Sequence, residues 1–144
     1  MKPVPINYLA VVVAALASMA IGFLWYGPLF GKTWMKLAGV APKRKTSAKK
    51  KGSGMEKTYF LAFIGSLIMS NVLAHSLVFA AAYYEMSGVY AGLMSGFWNW
   101  LGFIAPVTLG AVLWEGKPWK LWLLSNGCYL VSLLVMGTIL AVWK

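Results

Sequence analysis

The sequence predicts an all-α membrane protein: an antiparallel bundle of four transmembrane helices, with a short interfacial helix after the first span. Two observations lead to this fold class. The chain of 144 residues is 60% hydrophobic and only 11% charged, whereas a soluble domain carries about a quarter charged residues. Its apolar residues also fall into four segments, each long enough to cross a hydrocarbon core of about 30 Å at 1.5 Å per residue.

The four predicted spans form a single transmembrane domain, residues 1–144, and cover about 6–26, 58–82, 89–113 and 119–142. Only six residues separate the second span from the third, and only five separate the third from the fourth. Helices connected by such short links lie side by side, so the predicted bundle is antiparallel.

Positive charge is concentrated in the basic loop 27–57 between the first two spans. This loop has nine of the thirteen Lys and Arg residues, and Lys117 and Lys120 lie on the same side of the predicted bundle. Only Lys2 and Lys144 fall on the opposite side. Because Lys- and Arg-rich loops stay in the cytoplasm, we expect a multi-pass protein of a prokaryotic inner membrane with both termini outside. A cleaved signal peptide would place the nine cations outside, so the same bias disfavours that alternative for the first span.

The first part of the basic loop has the pattern of an interfacial anchor. Pro28 ends the first helix or starts a new one, and from there to about residue 40 lysines and apolar residues fall on opposite sides of a helix. This pattern predicts a short helix in the membrane interface, although an irregular basic loop is the alternative. The anchor residues are Trp25, Tyr26, Lys32, Trp34 and Lys36. With a net charge of +10, the expected partner is a bilayer with anionic headgroups, and not nucleic acid.

The third span has a glycine pattern that predicts close helix packing. Gly88, Gly92 and Gly96 recur every four residues and therefore lie on one face of a helix. Small residues in this register let another membrane helix approach closely. The partner is either another helix of the bundle or a second subunit, and we expect a homo-oligomer. Pro106 should kink the lower half of the same span.

Polar side chains in the second and third spans form a candidate site. Asn71 and His75 share one face of the second span, and Asn99 falls at a similar depth in the third. In one interpretation His75 titrates in a proton- or ligand-binding site that the asparagines orient. In the other, the three side chains only form hydrogen bonds between helices. Asn126 and Ser66 are a second expected pair, closer to the basic side.

The residues needed for catalysis or metal binding are scarce. The chain has one His, one Cys, three Glu and no Asp, which does not provide a convincing set of three or four metal ligands. A G-x-S-x-G nucleophile motif is also missing. We therefore predict a non-enzyme without metal or cofactor. The leading function is a structural or interaction module of the inner membrane, and the alternative is a small transporter or channel with a mid-membrane polar site around His75.

Two stretches resemble each other, G-K-T-W at 31–34 and G-K-P-W at 116–119, and both follow a span that runs towards the basic side. A duplicated hairpin would leave such a trace. Chance, or shared anchoring by Lys and Trp, is the alternative explanation.

Several longer motifs resemble the small prokaryotic membrane family called domain of unknown function 1761. They are N-Y-L-A at 7–10, G-x-x-W-Y at 22–26, P-L-F-G-K-x-W at 28–34, V-L-A-H at 72–75, G-F-W-N-W-L-G-F-I-A-P-V-T-L-G at 96–110, W-E-G-K-P-W at 114–119 and G-x-I-L-A-V-W at 137–143. The resemblance implies a four-helix integral membrane protein and no assigned activity. The family often has Ser where this chain has Gly27.

Overall fold

The computed structural model describes residues 5–40 and 53–143, and the predicted all-α fold class is confirmed over these ranges. In the described part of the chain, four helical stretches are long and apolar enough to cross a membrane, namely Tyr8–Leu29, Glu56–Tyr84, Gly88–Leu113 and Trp119–Val142. Within the basic loop 27–57, residues 41–52 lie outside the described residues, as do Lys2 and Lys144.

Residues 5–40 and 53–143 form six α-helices and two π-helical segments. The α-helices are α1 (Tyr8–Leu24), α2 (Gly31–Leu37), α3 (Ser53–Tyr84), α4 (Gly88–Asn99), α5 (Ala105–Leu113) and α6 (Trp119–Val142). The π-helical segments are Trp25–Leu29, which extends α1, and Trp100–Ile104, which joins α4 to α5. The first span is thus α1 with its π-helical extension, and the third is α4, a π-helical turn and α5.

The four spans pack as an up-and-down bundle. Helix α6 packs against both α1 and α4, and α3 packs against α1 and, less extensively, α4. The links place α2 and the α5–α6 turn at one end, here called the basic end. The N-terminus, the α3–α4 turn and the end of α6 lie at the other, here called the terminal end.

The bundle core consists of small and medium side chains, which lets the helices approach closely. Ala14 and Met136 are fully buried. The remaining core members come from α1, α3, α4 and α6, and are Ala10, Val11, Leu73, Ala74, Leu77, Ala91, Leu133, Leu140 and Ala141. Ser70 adds a polar link, because its hydroxyl donates to the carbonyl oxygen of Val11 over 2.9 Å.

Local chemistry accounts for several helix ends. The Asn7 side chain accepts hydrogen bonds from the N–H groups of Leu9 and Ala10, over 3.0 and 3.2 Å, and so caps α1. The α5–α6 turn contains Gly116 at a φ of +66°, a left-handed conformation that glycine adopts without the steric penalty of a Cβ atom.

Both prolines that were expected to interrupt a span lie at widened helical turns. Pro28 lies inside the first π-helical segment, where the Phe30 N–H donates to the carbonyl of Trp25 over 2.9 Å. Pro106 follows the second segment and occupies the first turn of α5. Proline lacks an N–H and its ring clashes with the preceding turn, and one extra residue per turn gives that ring room. At Pro106, where a kink was predicted, the structure has a π-helical turn just before the proline.

Candidate functional site

Two of the three glycines predicted to pack form a close contact with α6. A Cβ atom on Gly96 would lie 2.5 Å from the carbonyl oxygen of Leu133, and one on Gly92 would overlap the carbonyl oxygen of Gly137. Gly88 takes no part in this contact and instead starts α4 at a φ of +63°. The glycine face is therefore occupied within the bundle, where it brings the backbones of α4 and α6 together.

The side chains of the predicted mid-membrane polar residues do not bond to each other. The Nδ1 of His75 lies 2.8 Å from the carbonyl oxygen of Asn71. Because a carbonyl only accepts, Nδ1 is the donor in this contact. The Asn99 amide donates to the Ser76 hydroxyl and to the carbonyl of Ser95, each over 2.8 Å. The link between α3 and α4 thus runs through Ser76, the neighbour of His75.

The predicted interfacial anchor divides into two parts. Trp25 packs towards the bundle: its Nε1 donates to the carbonyl of Leu124 over 3.0 Å, and its ring lies against Gly127. Tyr26 likewise faces α6, where its hydroxyl interacts with Ser125 and Cys128. Both residues therefore connect the first span to α6.

The second part of the anchor is the short helix α2. Lys32 and Lys36 are exposed, whereas Trp34 and Leu37 are half-buried on the opposite side. This distribution matches an amphipathic helix, although α2 is shorter than the predicted stretch because Phe30 adopts a non-helical backbone at its start.

A polar cluster at the basic end is the most connected group of side chains in the described ranges. It comprises Trp100, Thr108, Trp122 and Asn126, and we call it the basic-end cluster. The Asn126 amide donates to the Thr108 hydroxyl over 2.9 Å and to the carbonyl of Trp122 over 3.1 Å. The indole of Trp122 also donates to Thr108, and that of Trp100 donates to the carbonyl of Asn126, both over 3.1 Å. The expected pairing of Asn126 with Ser66 is therefore wrong, because Thr108 is its partner.

The Thr108 hydroxyl is the centre of this cluster. The Thr108 hydroxyl has one proton but three acceptors within reach: the carbonyls of Ile104 at 2.7 Å and Ala105 at 3.2 Å, and the Oδ1 of Asn126 at 3.1 Å. The Ile104 carbonyl is the closest and therefore the preferred acceptor. The Asn126 Oδ1 lies within hydrogen-bonding distance of the same hydroxyl, and Asn126 is only 2% exposed.

A cavity of about 650 Å³ lies beside the cluster, between α2, α5 and α6. Its inner wall includes Thr108 and Asn126, and its mouth includes Glu115 and Lys117. These two mouth residues form an exposed ion pair with an N–O distance of 2.6 Å, which contributes little to stability. Its volume falls within the range of small-molecule sites. The remaining walls are largely apolar or aromatic and include Trp34, Leu37, Val107, Val112, Leu121, Trp122 and Tyr129.

The side chains of this site can bind a ligand through hydrogen bonds and apolar contacts. Within residues 5–40 and 53–143, no three His, Cys, Asp or Glu side chains lie close enough together to hold a metal ion. Glu115 is the cavity's one carboxylate, and it is already paired with Lys117.

A comparison with known families covers nearly all of this architecture. The model of the family described as "Protein of unknown function (DUF1761)" matches residues 9–141. The chain belongs to this family. The match covers the four spans except Tyr8 and Val142, and it includes every member of the basic-end cluster. It confirms the family predicted from the sequence motifs. Searches of curated proteins and of solved structures returned no match.

The sequence pointed to only part of the basic-end cluster. Thr108 and Trp122 were not singled out, because a lone Thr or Trp in an apolar span is usually a packing residue. For Thr108 a signal was available, because Trp100 and Thr108 lie in the same fifteen-residue family motif, 96–110.

Proposed function

We propose that this DUF1761 protein is an interaction module of a membrane, which binds another membrane component at its basic end without moving solutes across. The observation that carries this proposal is the arrangement of three cavities. Besides the cavity at the basic end, one of about 480 Å³ lies at the terminal end between Pro5 and Trp143. A third, of about 310 Å³, lies between α3 and the third span beside Asn99. None of the three contains residues from both ends, and none is lined by His75.

The polar contacts support the same proposal. The amides of Asn99 and Asn126 each donate two hydrogen bonds to partners within the bundle. A conducting path needs polar groups that are free to exchange partners with a passing solute. Transport through a site around His75 is the competing function, and its Nε2 is the group such a path would use.

Flux through proteoliposomes distinguishes the two functions. The purified chain and a His75→Ala variant are reconstituted, and uptake of protons, alkali cations and small organic cations is followed by fluorescent reporters. We expect no uptake above that of empty liposomes from either protein. Saturable uptake by the unmodified chain would overturn the proposal, and its loss in His75→Ala would establish the mid-membrane site.

We further propose a prokaryotic inner-membrane location with both termini outside and the basic end in the cytoplasm, on the grounds of the Lys and Arg bias. Accessibility of engineered cysteines tests this orientation, since the native Cys128 is buried. In intact cells a membrane-impermeant maleimide should label Ser87→Cys in the α3–α4 turn. It should label Lys117→Cys only after permeabilisation. The reverse pattern would contradict the orientation.

Two partners belong to this proposal. Anionic headgroups would meet Lys32 and Lys36, which are both exposed on α2. A homo-oligomer is the second, and its interface would have to lie away from Gly92 and Gly96, because α6 covers them. Size-exclusion chromatography with light scattering, in a detergent of known micelle mass, measures the subunit number directly. A strictly monomeric protein at all concentrations would remove the oligomer from the proposal.

A further inference from the structure

We propose that two copies of this chain pair through the outward side of α3, in a parallel dimer held by the side-chain amides of Asn71. The inference rests on the homo-oligomer of the proposed function and names its interface. Three features lead to it: an amide at mid-membrane depth without a partner among the described residues, a heptad pattern around that amide, and the symmetry of two copies in one membrane.

Asn71 lies on the side of α3 that faces away from the bundle. The buried side of this helix packs against α1 and α4, and its members in this region are Ser70, Leu73, Ala74 and Leu77. At about 100° per residue, Asn71 is about 110° from the middle of that buried side. Its neighbour Val72 is 56% exposed. The Asn71 side chain is therefore directed towards the surrounding membrane.

The depth of Asn71 makes this orientation costly for a single copy. Asn71 lies 15 residues after the start and 13 residues before the end of the span Glu56–Tyr84, so each end is about 20 Å away along the helix. Its backbone carbonyl accepts from the Nδ1 of His75, but within residues 5–40 and 53–143 its side-chain amide makes no hydrogen bond. Lipid tails neither donate nor accept, and an unpaired amide in hydrocarbon costs free energy. A second helix that offers a donor and an acceptor removes this cost.

The residues around Asn71 have the spacing of a coiled-coil interface. Positions 61, 64, 68, 71, 75 and 78 are separated by alternating steps of three and four residues, which is the heptad pattern of a and d positions. We call these six residues the α3 seam: Leu61, Ile68 and His75 at d, and Ile64, Asn71 and Val78 at a. None of the six is buried. β-Branched residues at a favour two strands, and a single Asn at a specifies the register and the number of strands.

Symmetry makes Asn71 its own partner. Two copies that insert with the same orientation are related by an axis along the membrane normal, so each residue meets its counterpart at the same depth. An amide has two N–H donors and one oxygen acceptor, and Asn71 of one copy can therefore donate to Asn71 of the second copy. The helices of membrane bundles usually cross at about 20°, as in soluble coiled coils, which is the geometry that a heptad spacing supports.

Disulfide cross-linking in cell membranes that contain the full chain tests the interface. Ile64→Cys places a thiol on the α3 seam. Ala62→Cys is the matched control, because Ala62 is also exposed but lies about 160° from Ile64 around the helix. The unmodified chain gives the background, since the native Cys128 is buried. After oxidation with copper phenanthroline we expect a covalent dimer from Ile64→Cys and only the background from Ala62→Cys. Equal cross-linking of the two variants, or none from Ile64→Cys, would overturn the α3 seam.

Substitutions of Asn71 test the amide. Asn71→Val keeps a β-branched side chain at the a position but removes the donor and the acceptor. Energy transfer between labelled copies in liposomes, over a range of protein-to-lipid ratios, should show a dissociation constant about tenfold higher, the ratio expected for one interhelical hydrogen bond in model membrane peptides. Asn71→Gln retains the amide and should restore most of the association. An unchanged dissociation constant in Asn71→Val would overturn the role of the amide.

A stability measurement separates pairing from a role inside one copy. At dilutions where the protein is monomeric, Asn71→Val should leave the unfolding midpoint unchanged, because the amide has no partner among the described residues. A destabilised monomer would assign the amide to the bundle and overturn the proposal. Asn71→Ala takes the place of Asn71→Val if that variant does not fold.

Solute flux and oligomeric state distinguish this inference from the proposed function. Flux through proteoliposomes would overturn the interaction module, whatever the cross-links show. A flux-free protein without cross-links on the α3 seam overturns only the dimer through α3. An oligomer in light scattering that lacks these cross-links also overturns the α3 seam, and it leaves the homo-oligomer in place.

Discussion

Replacing Gly96 by Ala should destabilise the bundle, because the added methyl group has no room. Its Cβ would lie 2.5 Å from the carbonyl oxygen and 2.8 Å from the carbonyl carbon of Leu133. Ordinary contact begins at 3.4 Å, and the difference between 3.4 Å and 2.5 Å is 0.9 Å. The obstacle is backbone of α6, which no change of rotamer relieves. The two helices must therefore separate locally by about this distance.

The magnitude is a balance of two terms. Overpacking that shifts a backbone costs typically about 1–3 kcal/mol. Replacing a glycine inside a helix by Ala returns up to about 1 kcal/mol, since Ala loses less backbone freedom on folding. For Gly96→Ala we therefore expect a net loss of about 1–2 kcal/mol in the free energy of unfolding.

Gly65→Ala is the matched control, since Gly65 also lies inside a long helix but nothing is within 4 Å of its Cβ position. Only the favourable term applies there, so this variant should be unchanged or stabilised by up to about 1 kcal/mol. Unfolding in mixed micelles with increasing sodium dodecyl sulfate, followed by circular dichroism, measures both. The two midpoints should move in opposite directions. If Gly96→Ala shifts the midpoint as Gly65→Ala does, the close α4–α6 contact is not part of the fold.

Three other substitutions test single contacts in the same unfolding assay. A double-mutant cycle of Asn99→Leu and Ser76→Ala should give a coupling free energy of about 0.6 kcal/mol, typical of interhelical hydrogen bonds in membranes, and zero coupling would contradict the pairing. Trp25→Phe loses the hydrogen bond to Leu124 and the part of the indole that lies against Gly127, which should cost at least about 1 kcal/mol; unchanged stability would contradict these contacts. Gly116→Ala forces a Cβ into the left-handed region and should cost about 1 kcal/mol, whereas a stabilised variant would exclude the positive φ.

The spans were predictable because the bilayer imposes a length and a composition that few other environments do. The partners of polar side chains were less predictable, since they depend on helix rotation. Asn99 was expected to lie beside His75, but its amide donates to the hydroxyl of Ser76, the next residue of α3. One residue is a rotation of about 100° around a helix axis. Depth follows from counting residues, whereas the face depends on packing that a single sequence does not specify.

For the glycine motif, too, the sequence predicted the shared helix face but not the partner that packs against it. Its four-residue period placed Gly92 and Gly96 on one face, and they do share a partner. The identity of that partner was open, because the two glycines of α6, Gly127 and Gly137, are ten residues apart and show no four-residue period. Gly88 follows the period as well, yet it serves the turn before α4. A glycine at the end of a periodic run fits both roles, and the sequence alone does not separate them.

The two π-helical segments resemble each other more closely in structure than the two G-K-x-W stretches do. The letters at 31–34 start α2, whereas those at 116–119 form a turn that includes a left-handed glycine. In contrast, each π-helical segment begins with a tryptophan, and the indoles of Trp25 and Trp100 donate to α6 carbonyls only two residues apart, Leu124 and Asn126. A π-helical turn changes the rotation of the helix that follows it, so each span can satisfy its indole on α6 and still direct its remainder along the basic-end cavity. The two widened turns thus have a shared structural consequence: they fix α6 from both sides at the level where Asn126 faces the cavity.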